Sequence, residues 1–309
     1  MIKKPGINLM SVLRLLGTQR LLPSAVVASG EGTGDSRTAP IGTLATIRTS
    51  PEGDLAPSAP SAARWEASLL VYNSNGTFGC SAACDAVVNL TLRGFPTDAS
   101  PSDAAAPMLV HYVIDQQHGN PAALWRSMGG ASNPYPTPAQ FAALRRAAEL
   151  VVVRREPLNR TRTPNRNGAR GEAWGPVVMQ MSAPQPSVHL VHVCSPPLSA
   201  GAIVPPSRVA NVALRVTPTV SPPTVFVRWD QVDERCVQTY EVLWQRNRTH
   251  ADPKAVLTRV NGEDLVSAAF VHAQPVATGV GAHGCYSVRA TNYWGVSGPV
   301  SDEVCLPSS

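Results

Sequence analysis

Cys285-Tyr-Ser-Val-Arg-Ala-Thr-Asn-Tyr-Trp-Gly-Val-Ser-Gly-Pro-Val-Ser301 is the stretch that decides the fold. Its opening residues, Cys285–Thr291, read as a strand, and the glycines and proline that follow mark a turn before a last short strand, Glu303–Leu306. Working backwards, Val209–Thr217, Val225–Trp229, Thr239–Gln245 and Leu265–His272 are further short runs rich in β-branched and aromatic residues. Six such runs, evenly spaced over about 100 residues, predict a two-sheet antiparallel sandwich.

Ahead of them, Gly201-Ala-Ile-Val-Pro-Pro-Ser207 reads as a linker, because paired prolines cannot join a sheet interior. Further upstream the pattern is again mostly β. Ile41–Ile47, Trp65–Asn73, Met108–Ile114, Val177–Met181 and Val188–Cys194 are candidate strands. Ala86–Arg93 alternates, with Val88, Leu90 and Leu92 on one face and Asn89, Thr91 and Arg93 on the other. One helix interrupts them: Thr137 is a good N-cap, Pro138 suits the first turn, and Gln140 stands at the capping-box position. Ile7, Leu9, Met10, Val12, Leu13 and Leu16 predict a short helix at the start. The fold class is therefore mostly β, two β-sandwich domains in series. The expected boundaries are 1–28 for the first helix and a connector, 29–200 for the first sandwich with one inserted helix, 201–206 for the linker and 207–309 for the last domain.

A chain of 309 residues with 43% hydrophobic and 15% charged residues suffices for two globular cores, and 29 prolines favour short strands with rigid turns over long helices. The net charge of +5 is almost all arginine, with only Lys3, Lys4 and Lys254 as lysines. No nucleic-acid motif accompanies it, so no nucleic-acid partner is expected. The densest basic stretch, with Arg154, Arg155, Arg160, Arg162, Arg166 and Arg170, reads as a solvated loop. Its functional reading is an anion contact at Arg154, Arg155, Arg160 and Arg162, with guanidinium forks on the sulfates or carboxylates of a glycosaminoglycan.

Six cysteines, Cys80, Cys84, Cys194, Cys236, Cys285 and Cys305, fit disulfides in an oxidising compartment. Cys285 and Cys305 fall on two strands of a terminal hairpin and can pair across it, and Cys80 with Cys84 reads as a local bridge. Sequons at Asn75, Asn89, Asn159 and Asn247 point to glycosylation and the same route. The start does not look like a leader, since Pro5, Gly6, Asn8 and Arg14 break its apolar run. No stretch approaches the roughly 18 apolar residues of a membrane span. A chain truncated at its N-terminus would reconcile the start with the cysteines, and Ile7, Leu9, Met10, Leu13 and Leu16 would then expose apolar surface.

The last hundred residues resemble a fibronectin type III domain: Trp229 after Val225-Phe-Val-Arg, the alternation Tyr240-Glu-Val-Leu-Trp244, and Tyr286 to Gly295 with Gly298 and Ser301. Upstream, Leu70-Val-Tyr-Asn, Val88-Asn-Leu-Thr-Leu-Arg-Gly-Phe-Pro96, Val110-His-Tyr-Val-Ile-Asp115, Asn120 to Trp125 and Pro136-Thr-Pro-Ala-Gln-Phe141 follow the order seen in α-L-iduronidases of glycoside hydrolase family 39. Leu190-Val-His-Val-Cys194 and Cys236-Val-Gln-Thr-Tyr-Glu-Val242 resemble that family's domain junction. The resemblance implies a (β/α)8 barrel, a β-sandwich and a type III module in the full enzyme, with this chain starting at the barrel's last helix. It implies a Cys194–Cys236 disulfide, a lysosomal or secreted setting, and the barrel of the same enzyme as partner.

Retaining hydrolysis needs two carboxyl groups about 5–5.5 Å apart. The family's acid motif is Asn-Glu-Pro, whereas the only Glu-Pro here is Glu156-Pro157 behind Arg155 in the basic stretch. No catalytic residue is therefore assigned, and the chain is expected to be inactive alone, with no cofactor and no metal. His189 and His192 look like a metal pair, but odd spacing on a strand sends them to opposite faces, predicting one core and one surface histidine. The rival reading is a secreted glycan- or protein-binding β module without enzymatic activity.

Overall fold

The computed structural model describes residues 5–21, 28–29, 41–49, 65–74, 85–95, 105–130, 135–164, 170–199, 202–217, 224–232, 236–245, 257–262, 264–272 and 284–306. The chain divides into two compact units. The first comprises Pro5–Asn120 and Leu150–Val204, and the second comprises Pro121–Glu149 and Pro205–Ser309.

The first unit opens with helix α1 (Pro5–Arg14). Pro5 opens it at no cost, because the first helical N–H has no partner to lose. Gly17 closes the approach to the sheet: a Cβ there would sit 2.4 Å from the backbone of Ile47. Strands β1 (Gln19–Leu21), β2 (Ala28–Ser29), β3 (Ile41–Thr49), β4 (Trp65–Asn73), β5 (Ala86–Leu92) and β6 (Met108–Ile114) follow. After the second unit's helices come β7 (Val151–Pro157), β8 (Arg160–Pro164), β9 (Arg170–Trp174), β10 (Val177–Ala183), β11 (Ser187–Cys194), β12 (Leu198–Ser199) and β13 (Ala202–Ile203). Six strands pair antiparallel in the order β1-β3-β4-β11-β6-β7, and three in the order β10-β5-β2.

Register explains the core. β11 pairs with both β4 and β6, so Val191 and Val193 lie beside Leu69 and Leu109 on one face. That face meets Val88, Met179, Met181 and Ala183 of the small sheet, with Trp65 and Val71 completing the cluster. β10 is half-buried, apolar inward and open outward, as a strand covered on one side should be. β6 is buried along its whole length, with His111 the one strongly polar side chain in an otherwise apolar and aromatic run. Burying each such Val or Leu contributes about 1.5–3 kcal/mol.

The second unit begins with helices α2 (Pro121–Ser127) and α3 (Pro138–Ala147). The capping box is formed in full: Gln140 N–H donates to Thr137 Oγ1, and Thr137 N–H to Gln140 Oε1. Seven strands follow: β14 (Ala213–Thr217), β15 (Thr224–Arg228), β16 (Val237–Gln245), β17 (Thr258–Arg259), β18 (Ala269–His272), β19 (Cys285–Asn292) and β20 (Val304–Cys305). They form sheets β14-β15-β18 and β17-β16-β19-β20, the three-plus-four pattern of a type III-like sandwich. Trp229 and Tyr240 sit 5.4 Å apart in its core with Val227, Val288 and Ala290. The turn after β19 needs Gly295 at φ 79°, where Asn292 Oδ1 accepts from Trp294 and Val296 N–H.

Several expectations change. The inserted helix is two helices, and both group with the second unit rather than the first sandwich. α2 was missed because seven residues are too few to show a 3.6-residue period. The supposed connector within 1–28 supplies β1 to the large sheet, and β2, across its expected end, joins the small one. The described part of the basic stretch is not a loop: Arg154, Arg155 and Glu156 lie on β7, while β8 and β9 pair with each other, and Arg166 lies outside the described residues. Between Leu265 and His272, only Ala269–His272 forms a strand, Leu265 making a single bridge to Tyr240.

Candidate functional site

The six-stranded sheet is wider than the three-stranded sheet that faces it, and a cavity of about 750 Å³ opens inside the first unit beside β10. Here the inner face of the large sheet changes character. Along β11 the inward positions run Val193, Val191, His189, and along β6 they run Leu109, His111, Val113. The polar pair therefore sits where the apolar core gives out. His111, His189, Asp115, His118, Arg154 and Asp85 line the cavity, and Met179 and Met181 of β10 form its apolar wall.

His111 Nε2 and His189 Nδ1 lie 3.1 Å apart, one donating and the other accepting. The ring centroids are 5.4 Å apart. That separation places both nitrogens on the line joining the rings, as in a straight N–H···N bond. Ligands of one metal at about 2.0–2.1 Å would converge at an angle and bring the rings closer. The pair is a hydrogen bond between imidazoles, not half of a metal site. It leaves His189 Nε2 buried without a partner in the protein, although His189 is only 3% exposed.

Burial holds both rings neutral. The pKa of His111 is lowered to about 4 by burial, then by His189 and Arg154. His189 is also lowered, by burial first; Asp115 pulls it back up and His118 pushes it further down. Asp115 itself lies below the usual carboxylate value. Burial raises it, but the His118 ring and the N–H groups of Gln117 and His118 outweigh that by donating to the carboxylate. Asp115 is thus an ionised acceptor, the wrong state for a general acid.

The opposite face of the same sheet holds a second buried polar group. Arg48 Nη1 lies 3.2 Å and His192 Nε2 3.4 Å from the Glu66 carboxylate. His192 is fully buried, so the expectation of one core and one surface histidine fails: His189 and His192 do face opposite ways, but both faces are covered. The end of α1 caps this side, with Ser68 Oγ donating to Leu15 C=O and Arg48 to Leu16 C=O. Glu66, His192 and Cys194 have ligand atoms within 4.8 Å of one another, as have Cys285, Glu303 and Cys305. All three cysteines are disulfide-bonded, which removes the thiolates a metal would need.

The other singled-out residues scatter. Cys285 and Cys305 are bonded to each other across β19 and β20. Cys194 and Cys236 are each disulfide-bonded, and Cys80 and Cys84 lie outside the described residues. Asn89 and Asn159 are exposed, Asn89 on the outer face of β5, while Asn75 and Asn247 lie outside the described residues. Arg154 pairs with Glu156 at 2.6 Å, which ties up the lone Glu-Pro carboxylate. Arg155 projects from the other side of β7, so the two arginines do not form one fork, and the side chains of Arg160 and Arg162 are not described. Of the expected apolar helix face, Ile7, Met10 and Leu13 are exposed and Leu9 and Leu16 half-buried, while Val12 is fully buried. His111, Asp115 and His118 were missed as site residues, because a lone histidine in Met-Leu-Val-His-Tyr-Val-Ile reads as core until the register with β11 is known.

Residues 213–307 match the family model of the α-L-iduronidase C-terminal domain. Over 307 residues the chain is 28% identical to mouse α-L-iduronidase and 29% identical to the human enzyme, covering 98% of this chain in each case. It spans about two-fifths of the length of those relatives, 40% and 39% respectively. The solved structure of a bacterial orthologue of human α-L-iduronidase superimposes over the whole chain and 43% of its own, with a TM-score of 0.64 at 21% identity, a likeness of fold. Among the described residues no helix is long and apolar enough to cross a membrane. Over nearly its whole length, then, this chain is similar to the C-terminal part of the α-L-iduronidases of glycoside hydrolase family 39.

Proposed function

We propose that the chain is the C-terminal accessory portion of an α-L-iduronidase-like retaining glycosidase, inactive alone, with the catalytic barrel of the same enzyme as its partner. The extent of the likeness carries this reading: nearly all of the chain, but only the smaller part of each relative, is involved. The full enzyme would hydrolyse terminal iduronic acid from dermatan and heparan sulfate in the lysosome. The exposed stripe of Ile7, Met10 and Leu13 on α1 supports a surface made to be covered by another domain. The ionised Asp115 and the ion-paired Glu156 support the absence of an acid/base here. The cysteines and sequons favour a lysosomal or secreted setting, with Cys194 and Cys236 bonded to each other. The test is hydrolysis of a fluorogenic α-L-iduronide by the chain alone and with a relative's separately produced barrel. The expected result is no turnover alone and turnover together; turnover by the chain alone overturns the reading. The second reading, a secreted glycan- or protein-binding module without enzymatic activity, draws on the polar cavity of the first unit. It gains if the chain neither binds nor assists a barrel.

A further inference from the structure

We infer that the cavity beside β10 is a binding site for one neutral, polyhydroxylated ring, a monosaccharide unit either free or at the end of a glycan. The site lies wholly within the first unit, so the inference holds whether or not the chain assists a barrel.

Three observations converge. First, His189 Nε2 is a buried polar atom with no protein partner. Its state depends on the His111–His189 bond. If His111 donates, His189 Nε2 carries the hydrogen; if His189 donates through Nδ1, Nε2 is a bare acceptor. A hydroxyl satisfies either state, because it both donates and accepts, whereas an oxyanion satisfies only one.

Second, the lining carries two carboxylates against one guanidinium. Asp85 and Asp115 supply acceptors and Arg154 supplies donors, the His118 ring is engaged by Asp115, and His111 and His189 are held neutral in the wall. An anion site would present an excess of cationic donors, and here the one arginine is already paired with Glu156. Vicinal hydroxyls need the mixture present, carboxylates to receive O–H and guanidinium or imidazole to donate.

Third, Met179 and Met181 give the cavity an apolar flank. A sugar ring has such a face of C–H groups beside its polar rim, and pliable thioether side chains suit it. The cavity of about 750 Å³ admits one ring with water to spare and is of the size common for small-molecule sites.

The experiment is saturation-transfer NMR on the full chain at pH 7 with glucose, galactose, mannose and N-acetylglucosamine, and with glucuronate and inorganic sulfate beside them. The expected result is a millimolar signal from at least one neutral sugar that exceeds both anions. Asp85→Ala, at an exposed rim position, and His189→Gln should each weaken it about tenfold or more, with melting curves confirming that both variants fold. Silence from every neutral sugar, a stronger response to glucuronate or sulfate, or a signal unchanged in both variants overturns the inference. A glycan array separates the two sources. Retention on terminal units supports the site as a glycan reader, and signal from free sugars without retention supports it as a free-sugar site.

Discussion

Each unit buries a neutral histidine between its strands, and the two differ in what surrounds the ring. In the second unit His272 Nδ1 meets Tyr286 Oη at 2.8 Å, with Trp244, Phe270 and Tyr286 rings around it. Burial and then Arg145 lower its pKa to about 4, and burial pushes the Tyr286 hydroxyl up. In the first unit His111 is lowered to about the same value, yet its partner His189, a residue of the cavity wall, keeps a buried nitrogen with no protein partner. A displaced pKa therefore marks neither as a site. The space and the unsatisfied atom do.

The widest blow to this contrast would be loss of either core. Trp229→Ala in the second unit and Leu109→Ala in the first should cost about 3–5 and 2–5 kcal/mol respectively, read from urea midpoints. Reducing Cys285–Cys305, whose partners are 20 residues apart, should cost the second unit about 3 kcal/mol in the chain-entropy view.

Acid tests what the two histidines share. Their folded pKa lies below the ordinary value of 6.5, so the unfolded chain takes up protons first as pH falls. The stability each contributes is whole above about pH 6.5 and drains away toward pH 4, on the order of 3 kcal/mol per ring. Urea midpoints at pH 7, 5.5 and 4.5 should fall in that order, and a flat series would refute burial as the cause. The smallest effect separates the two. His272→Leu strands the Tyr286 hydroxyl and should cost about 1–3 kcal/mol. His111→Leu or His189→Leu should each cost a similar amount by stranding the other ring, while the double replacement should be milder than either single one.

The sequence carried the regular elements well where period and punctuation agree. The alternation of Ala86–Leu92 and the capping box at Thr137 are present as read. β7 hid because Arg154, Arg155 and Glu156 made a strand look like a charged loop, and only its ladder with β6 reveals it. His192 misled for a different reason: strand alternation says which way a side chain points, not whether that face is covered. The cavity was illegible because it depends on six strands facing three, and on a diagonal between β6 and β11. Pairing of this kind joins residues 78 positions apart and leaves no local trace.

That unequal count of strands has a consequence for handling the protein. β10 stands at the end of its sheet, and among the described residues no strand pairs with its far side. Its seven residues, Val177-Val-Met-Gln-Met-Ser-Ala183, hold no charge and no proline, and Val178 is 66% exposed. Such an edge is a template for another chain. Concentrated solutions should therefore self-associate strand to strand, and a lysine at position 178 should keep them clear.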